Sequence, residues 1–144
     1  FNSVWLSGAG SGSFNFTGSN IINDFKIDGG AKTIKFTAAT NTTVASMTGF
    51  EGNVATFDTV SGAGTFTITK TGGGVVRMRG ANVTRSTAMP ANTFYAGATG
   101  VDGGSNTNWL FQDAPSEGGG GGWAAPRYRQ KTENDEALLI ALLM

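Results

Sequence analysis

Shifted by 20 or 21 residues, the first part of this chain falls onto itself. Phe14, Ile34, Ala55 and Val76 form one column; two positions further on, Phe16, Phe36, Phe57 and Met78 form a second. Another pair of columns runs Val4, Phe25, Ala45, Phe66, Thr87 and Leu6, Ile27, Met47, Ile68, Met89. The residue between paired columns is mostly polar (Asn15, Lys35, Thr56 and Arg77 in one case; Trp5, Lys26, Ser46 and Thr67 in the other). Such alternation is that of strands with one buried face. Hairpin meanders also alternate, but antiparallel neighbours do not keep like residues at one constant offset. The pattern therefore predicts an all-β chain: a single-stranded parallel β-helix, or solenoid, of about four 20–21-residue rungs over residues 1–92. At ~4.8 Å per rung the rod is about 20 Å long.

Glycines punctuate the repeat at Gly8, Gly10, Gly12, Gly18, Gly29, Gly30, Gly49, Gly52, Gly62, Gly64 and Gly72 to Gly74, where each circuit turns a corner. Across the whole chain 23 of 144 residues are Gly and 19 are Thr, and only 14% are charged, against about 25% in ordinary domains. Ten basic and ten acidic residues cancel, so no global field draws in nucleic acid or a membrane surface. The absence of His and Cys removes disulfides, thiolate nucleophiles, Cys/His zinc sites and imidazole bases. No cofactor and no metal are expected. Asp102 and Asn106, set among Gly103 and Gly104, read as turn residues rather than a calcium loop, because neither the acidic spacing nor the nine-residue calcium repeat is present. Gly72 to Gly74 and Gly118 to Gly122 lack the Lys-Ser/Thr of a phosphate loop. No apolar run approaches the ~20 residues of a membrane helix. Because the chain opens at Phe1 and a solenoid end leaves backbone groups unpaired, the first rung is expected to continue from further residues or to abut another chain.

On the outward columns, Asp58 falls one repeat below Arg79 and is expected to form a surface ion pair with it. Thr17, Thr37 and Thr59, with Thr48 and Thr69, suit solvent-facing strands. The alternative is a carbohydrate-processing flank using Asp24, Asp28, Glu51 or Asp58 as acids, but no acid pair recurs in the repeat.

After the rungs, residues 93–113 bring together Phe94, Tyr95, Trp109 and Phe111, aromatics suited to covering the open apolar end of the coil. The stretch T-F-Y-A-G-x4-D-G-G-x-N-x2-W-x-F at 93–111, following short Gly/Thr-rich rungs, resembles the C-terminal end of parallel β-helix proteins of bacteriophages and of some bacterial surface proteins. In that family the chain typically ends soon after the tryptophan, whereas here residues 114–144 follow.

Residues 114–122 read as a Gly-rich flexible linker, and 123–144 as an interaction tail. Trp123, Arg127, Tyr128 and Arg129 interleave aromatic and guanidinium groups of the kind enriched at interface hot spots. Nearby Glu133, Asp135 and Glu136 make a poor funnel for single-stranded nucleic acid, so peptide docking is the preferred reading. A short helix is expected from Thr132, apolar on every side through Leu138, Leu139, Ile140, Leu142, Leu143 and Met144. It is too short to cross a bilayer and asks for burial, either folded back over this chain's own rod or, the preferred reading, between chains.

Taken with the resemblance, these residues imply a non-enzymatic structural protein of a phage virion: a tail fibre, tail spike or tail-tip component located in the particle. Its partners would be other virion proteins or symmetry-related copies, with a homotrimer favoured, and a host cell-surface glycan would be a further candidate. The alternatives are the end of a secreted bacterial adhesin at the cell surface, and a polysaccharide-cleaving β-helix enzyme.

Overall fold

A computed structural model of the chain describes residues 1–49 and 55–117. Among the described residues there are thirteen strands and no helix. In chain order they are β1 (Ser3–Leu6), β2 (Gly12–Phe16), β3 (Asn20–Ile27), β4 (Lys32–Phe36), β5 (Asn41–Gly49), β6 (Ala55–Thr59) and β7 (Phe66–Lys70), followed by β8 (Val76–Arg77), β9 (Asn82–Val83), β10 (Ser86–Met89), β11 (Phe94–Tyr95), β12 (Val101–Asp102) and β13 (Trp109–Leu110). Every strand pairing among them is parallel. A narrow sheet runs β2-β4-β6-β9-β12, and a broad sheet runs β1-β3-β5-β8-β11-β13 with β7 and β10 attached beside β5. The described residues thus form a parallel β-solenoid of about four turns.

The broad sheet bends, and the bend is written in the burial pattern. In β3 both Ile22 and Phe25 are buried although they lie three apart, so strict alternation fails at Asn23. β5 repeats this with Val44 and Met47. One turn later the same two faces are separate strands: β7 pairs with the first half of β5, β8 pairs with Thr48, and Gly72 to Gly74 lie between them. Each turn therefore has three faces around one apolar core.

That core is a file of aromatic rings. Phe16 stacks on Phe36 at 5.4 Å, Phe36 on Phe66 at 4.5 Å and on Phe57 at 6.4 Å, and Phe57 on Trp109 at 6.1 Å. Centroid spacings of this order are favourable beyond the apolar area they bury. Trp109 also packs on Phe94 at 5.2 Å and donates its buried indole N–H to Ser86 Oγ at 2.9 Å. The aromatics Phe94 and Trp109 are integral to the last turns of the coil, and Tyr95 is buried beside them.

The period of the repeat is not constant. The first step is as expected, with Phe14 beside Ile34, Phe16 beside Phe36, Val4 beside Phe25 and Leu6 beside Ile27. The middle turns lengthen: Ile34 lies beside Phe57 rather than Ala55, Phe57 beside Val83, and Phe25 beside Met47 rather than Ala45; the last turns shorten again, with Val101 beside Asn82 and Trp109 beside Phe94. Val76 joins the broad sheet beside Phe94, and Met78 leaves the phenylalanine file. A shift of two residues keeps a side chain on its face, so Phe57 and Met47 remain buried. An error of one residue does not: Ile68 pairs with Ala88 and Phe66 with Ser86, which turns Met89 outward at 43% exposure and puts Thr87 on the outer face.

The corners are held by close backbone approach and by two lysines. Gly29, at φ 85, sits where a Cβ would stand 2.0 Å from the Gly8 carbonyl oxygen, and Gly30 where it would stand 2.2 Å from that of Ala9. Lys32, nearly fully buried, donates its ammonium to the carbonyls of Gly8, at 2.8 Å, and Gly10. Lys70 does the same for Ala45, Thr71 and Gly73 at 3.0, 3.1 and 2.8 Å. At the closing turn, Asn106 accepts from the Ser86 N–H and donates to the Val83 carbonyl and to Asp102, whose carboxylate also takes the Gly104 N–H. The turn chemistry expected of Asp102 and Asn106 is what they perform.

Candidate functional site

Sequence reasoning named four acids as possible reactive groups, and three lie among the described residues. Asp58 is gripped in two-point fashion by Arg85, with Nε 2.8 Å from Oδ1 and Nη2 2.6 Å from Oδ2. The guanidinium facing Asp58 is therefore that of Arg85, not Arg79, because the turn between β6 and β9 is longer than 21 residues and carries Arg85 over the carboxylate. Asp24 forms an ion pair with Lys26 at 3.1 Å, and Asp28 accepts the indole N–H of Trp5 at 2.8 Å. Glu51 falls outside the described residues. Each described acid is thus matched to a neighbour on the outer surface.

Asp24, Lys26, Asp28 and Trp5 form one cluster on the first two turns. Parallel pairing of β1 with β3 sets Trp5 beside Lys26 and Ser3 beside Asp24. The tryptophan faces outward by strand alternation, which leaves it 63% exposed. Its N–H is fixed by Asp28, so the large apolar ring stands in water in a defined orientation. Asp24 and Lys26 project from the same face of β3, two residues apart. Sequence analysis placed Trp5 on an outer column but did not bring it to Asp28. The signal was an acid one turn plus two residues beyond the tryptophan, and only the register makes it legible.

The predicted partner-binding residues Trp123, Arg127, Tyr128 and Arg129, and Leu138, Leu139, Ile140, Leu142, Leu143 and Met144, lie outside the described residues, as do the linker 118–122 and the expected helix. Among the described residues, no group of three or more His, Cys, Asp or Glu is placed to share a metal ion, and no helix is long and apolar enough to cross a membrane. No protein-family model, curated protein or solved structure matches the chain.

Proposed function

We propose that this chain is a non-enzymatic structural element of a phage virion, a tail fibre, tail spike or tail-tip component. In this reading the solenoid is its stiff part and residues 123–144 are its assembly arm. The observation that carries the reading is the continuous parallel ladder with a ring-stacked core, finished by the turn in which Trp109 and Asn106 of the closing motif are locked to Ser86. Parallel strands bonded in series resist bending, which is what a fibre segment needs. The arm supplies six large apolar side chains near its end, each worth about 1.5–3 kcal/mol when buried. A symmetry-related copy or another virion protein would bury them, and closed rotational symmetry, with three copies favoured, suits a fibre.

The test is a chain shortened to Asp113. It is expected to keep its β-type circular dichroism and to lose self-association or incorporation into particles. Unchanged assembly of the shortened chain would defeat the proposal.

A further inference from the structure

We propose that the outer cluster of Trp5, Asp24, Lys26 and Asp28 receives Arg127 and Arg129 from a second copy of this chain. The inference rests on the assembly-arm reading and names the surface to which the arm's basic part binds. Three properties of the cluster point to a guanidinium partner. The Trp5 ring is 63% exposed and offers a flat π face, the surface on which arginine stacks most readily. Its indole N–H is already satisfied by Asp28 Oδ2 at 2.8 Å, so the face is held in place before a partner arrives and less side-chain freedom is lost on binding. The two carboxylates, Asp24 and Asp28, outnumber the one ammonium of Lys26, leaving a net charge of −1 beside the ring. Carboxylates accept guanidinium N–H groups in pairs.

The arm has the complementary chemistry. Arg127 and Arg129 are two residues apart in the sequence, so one short peptide carries both guanidinium groups. One guanidinium would lie over the indole while the other reaches a carboxylate. Arginine suits this pairing better than lysine because it is planar and stacks as well as pairs.

The experiment measures self-association of the full chain by analytical ultracentrifugation. Trp5→Ala, Asp28→Lys and Arg127→Glu are each expected to weaken it at least tenfold, and combining Asp28→Lys with Arg127→Glu is expected to restore most of the loss. Lys35→Ala, on the narrow sheet, serves as the control and leaves association unchanged. Circular dichroism and melting temperature establish that each variant is folded. If Trp5→Ala and Asp28→Lys associate normally while the chain shortened to Asp113 does not, the arm docks elsewhere: the inference fails and the assembly reading stands. If the shortened chain still associates, or if the full chain never does, both fail. Loss of binding to a polysaccharide array by Trp5→Ala with association intact would assign the patch to glycan and overturn the inference. Crosslinks from residue 127 to the cluster found only within one chain would overturn it too.

Discussion

Arg85 holds Asp58 by two hydrogen bonds while its own backbone sits in the left-handed region, at φ 58. A side chain in that region carries about 1–2 kcal/mol of strain relative to ordinary backbone. Here the strained residue also donates its N–H to the Gly104 carbonyl, and its guanidinium reaches Thr59 Oγ1 at 3.2 Å. The side-chain bonds offset the backbone cost. Arg85→Ala keeps the strain and removes the bonds, so it should destabilise by about 1–2.5 kcal/mol. Arg85→Gly removes both and should lose about 1 kcal/mol less. Denaturant unfolding of the two variants decides; equal losses would mean that the backbone is not strained.

Met78 fills the space above Gly49. A Cβ added at Gly49 would stand 2.7 Å from Met78 Cε and 3.3 Å from its sulfur, so a large residue on one turn is matched to none on the turn before. Met78→Ala should cost about 2–5 kcal/mol through the cavity it leaves. Gly49→Ala should cost about 1–3 kcal/mol, the range for overpacking a core, and nearer the low end because a flexible thioether end can move aside. The double variant should lose less than the sum of the two, by about 0.5 kcal/mol or more. Strict additivity would show that the two positions do not share one space.

This pair also marks where the sequence stops being legible. Alternation identifies most of the inward residues, and parity survives two-residue slips: Phe57 and Met47 are buried although their backbone partners lie two residues from those expected, and Phe57 still stacks on Phe36. It fails at Ala45, which is exposed where β5 bends, and at Thr59, expected on the outer face but buried. Register is different. Nothing in the spacing of Gly72 to Gly74 announces that the two halves of β5 become two strands, so Met78 was assigned to the phenylalanine file and Met89 to the core. Lysine is rarely buried, and nothing in the repeat marks Lys32 or Lys70 as an exception; only the stacked corners reveal the carbonyls that hold them. The Trp5–Asp28 contact was hidden for the same reason, since it joins different turns.

Lys32 supports a prediction of its own. Its ammonium is the donor that ties the Gly8–Gly10 corner of the first turn to the second. Lys32→Met preserves the apolar stem and removes that donor, leaving the carbonyls of an exposed corner to water. The expected loss is about 1–3 kcal/mol, the range for hydrogen bonds to charged groups less what hydration recovers. Amide hydrogen exchange should show the change concentrated at Gly30, whose N–H donates to the Gly8 carbonyl at 2.8 Å. Uniform exchange across all turns would argue against a local tie.

Thr42 is the opposite case, a polar group whose removal should help. It lies inside β5, opposite Asn20 on one side and Ile68 on the other, and it is 1% exposed. Among the described residues its buried Oγ1 meets no hydrogen-bond partner. A hydroxyl taken out of water and left unpaired costs about 1–3 kcal/mol, whereas the nearly isosteric valine has no such group to satisfy. The backbone is extended and both residues are β-branched, so strand propensity and χ1 restriction hardly change. Thr42→Val is therefore expected to stabilise the solenoid by about 1 kcal/mol, read as a rise in denaturant midpoint at unchanged slope. Thr42→Ala separates the two contributions, because it removes the hydroxyl but also leaves a void, and should be no better than neutral. A midpoint that falls for Thr42→Val would show that the hydroxyl has a partner after all, with a water molecule the first to look for.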